Sequence, residues 1–187
     1  METALSKLIL DKLFKSDHLI SEQEYEVANY HLSILIINLE KCLVVYAFAI
    51  VFHALISTVC IHSVFVLLRR YAGGWHAASS LNCTLVSVAV FVILPMIMGK
   101  FIGEIPLWIS IVLQSLILLT VMLYAPADTE KNPLFGKRRR EKMRTRAIVL
   151  VIILTACYYA FLTADLKIAM LLGELSECFM IHPLFYN

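Results

Sequence analysis

A histidine and a cysteine stand seven residues apart in "RRYAGGWHAASSLNC", residues 69–83, between two long apolar runs. Polar groups left in hydrocarbon cost on the order of several kcal/mol each unless they are paired, so their presence there calls for a chemical reason. An imidazole beside a thiol generates thiolate near neutral pH, which makes Cys83 a candidate nucleophile and His76 its base. The plainer alternative is a packed cysteine and a solvated interfacial histidine. On one unbroken helix, positions i and i+7 share a face but lie about 10 Å apart along the axis. A hydrogen bond needs about 3 Å, so a dyad requires the helix to break between them. Gly73 and Gly74 loosen the approach, and Ser79, Ser80 and Asn82 are residue types that cap helix N-termini. If one of these three caps the next helix, Cys83 falls in or near its first turn. There the helix dipole favours a thiolate, and unpaired amides can stabilise an oxyanion.

Charged neighbours have two readings each. Arg69 and Arg70 either anchor the segment at the membrane interface, or hold a substrate carboxylate or fix the loop. No acid adjoins His76 in sequence. Asp128 is the nearest polar carboxylate expected on the same membrane face and is a candidate to orient the imidazole. Of the five cysteines, Cys42, Cys60, Cys157 and Cys178 lie in apolar runs, where cysteine behaves as a small hydrophobe. There is no CxxC pair and no zinc-ligand spacing, so neither a disulfide framework, a metal nor another cofactor is expected.

The elements that must position these residues belong to a membrane protein. Hydrophobic residues make up 60% of the 187 residues and charged ones 16%, against roughly 45–50% and 25% in soluble domains. Mean hydropathy is +0.82. A soluble domain of this length could not hide so much apolar surface. The first 30 residues carry charges throughout and no unbroken apolar core, so no removable signal peptide is expected.

Residues 1–30 read instead as a cytoplasmic, amphipathic segment of two short helices. Leu5, Leu8, Ile9 and Leu13 recur at helical spacing, and Ser21–Glu24 ("SEQE") has the pattern of a capping box. Residues 31–187 read as a single polytopic domain with apolar runs at about 31–68, 84–102, 106–125, 147–164 and 166–185. The first is too long for one span of about 20 residues and is expected to break between Phe52 and Thr58. The fold class expected is therefore all-α, with about six transmembrane helices.

Orientation follows from charge. Residues 126–146 hold eight basic and three acidic side chains, and the positive-inside rule makes this basic loop cytoplasmic. Arg69 and Arg70 put the loop 69–83 on the same side, and two spans between the loops satisfy that. Six spans leave both termini cytoplasmic.

"RRYAGGWHAASSLNC" resembles the Arg…Gly-Gly-x-His-Ala…Cys signature of the accessory gene regulator B (AgrB) peptidases. "YAPADTEKNPLFGKRRREKMR", residues 124–144, resembles the same family's second signature, which runs into a basic loop. The resemblance implies a membrane-embedded cysteine endopeptidase of Gram-positive quorum sensing, in the cell membrane, with His76 and Cys83 as the catalytic pair. Its implied partner is an AgrD-like precursor peptide with an amphipathic leader, a short core and an acidic tail. Cleavage at the core–tail junction would leave the core as a thioester on Cys83, and a cysteine or serine of the peptide would close a thiolactone or lactone ring. Arg138, Arg139 and Arg140 could grip the acidic tail, although their plain role is to fix topology. Membrane lipid is a further partner, a homodimer is compatible with so small an enzyme, and nucleic acid is not expected.

Two other classes compete. A small channel or transporter would use Glu40, Lys41, His53 and His62 along a pathway, since ionisable residues in spans are functional candidates by default. A noncatalytic membrane subunit would use the basic loop to bind anionic lipid or a partner. Against the first, no inverted repeat is evident and the densest polar cluster lies at one rim.

Overall fold

Helices that are apolar all round must lie in lipid or in a crowded interior, and most of this chain is built that way. The computed structural model describes residues 2–14, 21–74, 80–101, 104–127, 136–160 and 163–185. Its elements are α1 (Glu2–Phe14), α2 (Glu22–Val51), α3 (Leu55–Ala72), α4 (Ser80–Val88), α5 (Leu94–Phe101), α6 (Leu107–Tyr124), α7 (Lys137–Ala160) and α8 (Ala164–Ile181). A π-helical stretch, Ala89–Ile93, joins α4 directly to α5. The architecture is all-α and membrane-spanning, as expected. Five stretches are long and apolar enough to cross a bilayer: Glu22–Val51, Leu55–Ala72, Leu81–Phe101, Leu107–Tyr124 and Lys137–Ala160. The last apolar run, the sixth expected span, forms α8, which has 18 residues but carries Asp165, Lys167, Glu174 and Glu177.

The chain divides into two compact units, residues 1–47 and 48–187. In the first, the Ser21 Oγ accepts from the Glu24 amide at 3.3 Å while Glu24 Oε2 accepts from the Ser21 amide at 2.9 Å. This is the reciprocal capping box read from the sequence. The helix it starts is not short, however. α2 runs unbroken for 30 residues, because neither glycine nor proline interrupts it before Val51. Within this unit the Ser6 hydroxyl, fully buried, meets Asn29 Oδ1 at 2.6 Å and the Ser33 hydroxyl at 2.7 Å. Tyr25 donates to Asp11 at 2.8 Å.

In the second unit the chain turns at Phe52–Ala54, inside the window expected for the break. His53 sits at φ 55°, and the Ala54 amide bonds back to the Ala49 carbonyl at 2.8 Å. The core gathers Val64, Leu68 and Ala72 of α3, Ile117 and Val121 of α6, Ala147, Val151 and Tyr158 of α7, and Met170, Leu171, Cys178 and Ile181 of α8. Many other large apolar side chains stay exposed, among them Ile56, Ile111 and Ile152. An apolar outside around an apolar inside is what lipid as solvent requires.

α8 packs against α3 more extensively than any other pair of elements. Gly173 permits it, since a Cβ there would lie 2.8 Å from the Ile61 carbonyl oxygen and 3.0 Å from Val64 Cβ. Gly173→Val should therefore destabilise the unit by about 1–3 kcal/mol through overpacking. A lowered thermal midpoint in detergent is the expected reading, and an unchanged midpoint would contradict so close an approach.

The basic stretch departs from its expected form. Residues 126–146 were expected as a loop, but from Lys137 onward the segment is the start of α7. Arginine, lysine, glutamate and methionine are strong helix formers, and Gly136, at φ 92°, supplies the turn into them.

Candidate functional site

The site is built where α3 ends. The Gly73 amide closes the last turn on the Arg69 carbonyl at 3.0 Å, and Gly73 and Gly74 then take φ 73° and φ 124°. Side chains rarely tolerate those angles, and space forbids one as well. A Cβ on Gly73 would lie 2.7 Å from the Ala127 carbonyl oxygen, and one on Gly74 would lie 2.9 Å from the Met180 carbonyl oxygen.

The reason for this crowding is a junction between distant segments. Gly73 and Ala127 form a parallel bridge, with the Ala127 amide donating to the Ala72 carbonyl at 2.7 Å. Ala125, Pro126 and Ala127 are buried, and Arg144 Nε of α7 donates to the Ala125 carbonyl at 2.7 Å. The two segments that carry the sequence signatures are therefore hydrogen-bonded to one another. Tyr124, which opens the second, meets the His182 ring edge-on at 4.9 Å.

The adjacent arginines part company. Arg70 is exposed, whereas Arg69 turns inward. Its Nη1 donates to Glu177 Oε2 of α8 at 3.3 Å, its Nη2 to the Gly74 carbonyl at 3.4 Å, and its guanidinium lies 5.4 Å from the Phe65 ring centre. Glu177 is fully buried.

Cys83 is the fourth residue of α4 as described from Ser80, and its side chain is partly buried. The Ser87 hydroxyl donates to its carbonyl at 2.8 Å. Asn82 precedes it on the helix and is exposed. His76, Ser79 and Asp128 lie outside the described residues, and so does the expected approach of His76 to Cys83. Ser80 is the first residue described in α4. The described chain leaves α3 at Gly73–Gly74, N-terminal to His76, and the break expected between His76 and Cys83 falls outside the described residues.

The other four cysteines sit as expected of small hydrophobes. Cys178 is buried with its Sγ 4.0 Å from the Ile117 carbonyl, Cys60 points toward the Leu166 carbonyl at 3.9 Å, and Cys42 and Cys157 are partly buried. Among the described residues no group of three histidine, cysteine, aspartate or glutamate side chains could hold a metal.

Arg138 and Arg139 are exposed and Arg140 partly buried. Successive residues on a helix turn by about 100°, so these three arginines do not share a face. Arg138, Lys142 and Arg146 do, lining a shallow groove with Glu141 and Thr145. Of the side chains weighed for a transport pathway, His53 marks the α2–α3 turn and His62 stacks on Phe91 at 5.2 Å.

Sequence reasoning missed the polar interior of α8. Gln114 Nε2 donates to Glu174 Oε2 at 2.8 Å, and Thr155 donates to Gln114 Oε1 at 2.7 Å, which links α8, α6 and α7. Glu174 and Glu177, three residues apart, are both fully buried. The available signal was simple: two carboxylates on one face of an apolar run are functional or structural candidates before they are anything else.

Helices of spanning length around a glycine turn that joins two polar segments define a polytopic membrane protein with a built rim. The chain belongs to the accessory gene regulator B family, whose sequence profile matches residues 6–181. It is 37% identical to an AgrB-like protein of Listeria innocua over 98% of this chain and 89% of that relative. It is 32% identical to the accessory gene regulator protein B of Staphylococcus haemolyticus over 83% and 80% of the two chains. With the corresponding protein of Staphylococcus carnosus it shares 37% identity over 65% and 63%. It is thus a membrane protein of accessory gene regulation. No solved structure matches the chain.

Proposed function

We propose that this protein is a membrane-embedded cysteine endopeptidase that cuts an AgrD-like precursor peptide between core and tail and promotes ring closure, for quorum sensing. The observation that carries the reading is the junction at Gly73–Ala127. It ties the segment leading to His76 to the segment leading to Asp128, with Cys83 on the next described helix. The family relationship supports the same chemistry. The Gly73–Ala127 bridge and the hydrogen bond from the Ala127 amide to the Ala72 carbonyl also favour one membrane face for both polar segments, and basic charge favours the cytoplasm for that face.

The reaction needs no cofactor. The Cys83 thiol gives its proton to His76 and the thiolate attacks the last core carbonyl. The C–N bond breaks, the tail leaves as an amine with the proton from His76, and the core is held as a thioester. A thiol or hydroxyl of the peptide then gives its proton to His76 and attacks that carbonyl, the Cys83 thiolate leaves and takes the proton back, and the ring closes. One amide and one nucleophile become a ring ester or thioester and an amine, so atoms balance. Ring closure outruns hydrolysis when water is scarce, and a site at the edge of lipid helps to exclude it.

Purified protein mixed with precursor lacking the ring-closing nucleophile should gain the mass of leader plus core on Cys83, released by hydroxylamine. Cleavage with no adduct on Cys83, or no cleavage at all, would refute the mechanism.

The groove of Arg138, Lys142 and Arg146 is the part of the basic segment suited to hold an acidic tail. Single exposed charge pairs are worth only about 0–1 kcal/mol, so a cluster acts through its summed field. Replacing Arg138, Lys142 and Arg146 together with glutamine should raise KM several-fold at low salt, and about 0.5 M salt should erase most of the difference. An unchanged KM at low ionic strength, with topology intact, would leave the segment as a topological anchor alone.

A further inference from the structure

We propose that Glu177 is a positioning residue for the His76 segment, acting through Arg69. The inference rests on the endopeptidase reading above. A carboxylate buried in an apolar helix is costly to desolvate and is retained only with a partner. Glu177 is fully buried, and its partner Arg69 lies 108 positions away in the chain. The pair does more than neutralise itself. The second arm of the guanidinium ends on the Gly74 carbonyl, and Gly74 stands two residues before His76.

Three supports then fix the chain as it leaves α3. Ala127 holds Ala72 and Gly73 through the backbone, Arg69 holds the Gly74 carbonyl, and the Met180 carbonyl closes the space around Gly74. Two of the three depend on the last turns of α8, where Glu177 and Met180 lie. Glu177 therefore sets the direction in which the chain sets out toward His76 without touching the reacting atoms. A lysine at position 69 could not replace the arginine, because one ammonium cannot span both acceptors as a planar fork does.

Glu174 provides the control. It is equally buried, one turn earlier on the same helix, but its described partner is Gln114. Glu177→Gln keeps the shape and removes the charge that orients the guanidinium. It should lower kcat about 100-fold, as expected for displacement of a catalytic group, with KM within about two-fold. Alkylation of Cys83 at pH 7, followed on its own peptide by mass spectrometry, should slow toward the rate of His76→Ala. The rates should converge as pH rises, because hydroxide then makes thiolate without a neighbouring base. Glu174→Gln should leave that alkylation rate at the wild-type value.

Wild-type kcat and alkylation in Glu177→Gln, or equal slowing in Glu174→Gln, would overturn the proposal. If Glu177→Gln does not fold, Arg69→Met with Glu177→Leu decides, because it removes both buried charges at once. Slow alkylation in the folded double variant supports the brace, and wild-type kcat overturns it. Cys83→Ala run alongside separates the two ideas. Cleavage without Cys83 would fail the endopeptidase reading, whereas a silent Cys83→Ala beside a fully active Glu177→Gln would fail the brace alone.

Discussion

Purified Cys83→Ala and His76→Ala should each cut the precursor at least about 10⁴-fold more slowly than wild type, while remaining folded and in the membrane. Removing the thiol removes the group proposed to carry the acyl intermediate. Removing the imidazole removes the base proposed to activate that thiol. Cys83→Ala should cost little stability, since Cys83 is only partly buried and its described bond is made by the backbone carbonyl. The other cysteines supply the contrast. Cys42→Ala, Cys60→Ala, Cys157→Ala and Cys178→Ala remove small side chains from helices without touching the proposed chemistry, so cleavage should stay within about two-fold. Near-normal processing by Cys83→Ala, measured by mass spectrometry of the peptide products, would end the endopeptidase reading.

Gly73→Val should come next in size, with cleavage falling on the order of 100-fold or more. Two independent penalties coincide at this position. The backbone has φ 73°, which a β-branched residue strongly resists, and a Cβ would lie 2.7 Å from a backbone oxygen of Ala127 that cannot swing aside. Relief requires the 125–127 segment to separate from the end of α3, which breaks the bond from the Ala127 amide to the Ala72 carbonyl. Gly99→Ala is the matched control. It lies in α5 with nothing within 4 Å of a new Cβ, and alanine suits a helix better than glycine. Gly99→Ala should therefore keep full activity with equal or higher thermal stability. Equal activity in the two variants would mean that the glycine junction has no part in function.

Local chemistry explains what was legible from the chain alone. Apolar runs announce spans and the Ser21–Glu24 box announces a helix start, because each depends on neighbours a few positions away, whereas Gly73–Gly74 was read only as a loosening of the chain. The turn at Phe52–Ala54 lies at the near edge of its expected window, placed there by span length and not by any breaker residue. The basic stretch was misread as loop from Lys137 because charge was taken as the mark of a loop, although its residues favour helix. What stayed hidden depends on partners far along the chain. Nothing near Glu177 in sequence points to Arg69, and nothing in either signature says that residues 73 and 127 touch. Within the candidate site, Arg69 was legible as an interfacial anchor, a substrate-binding residue or a loop-fixing one, but the carboxylate that pairs with it was not.

The π-helical stretch at Ala89–Ile93 has a consequence for Cys83, two turns before it. A π turn holds one residue more than an α turn, and one residue corresponds to about 100° of rotation around the axis. The widened carbonyl ladder is secured, since the Thr58 hydroxyl of α3 donates to the Phe91 carbonyl at 2.9 Å and Phe91 packs against His62 and Phe65. The compass bearing of the thiol is thus decided at a distance, by an extra residue locked against α3, and α4 is keyed to α3 like a cog offset by a single tooth. Losing that residue would leave α5 in place and turn Cys83 about a quarter circle away from whatever it now faces.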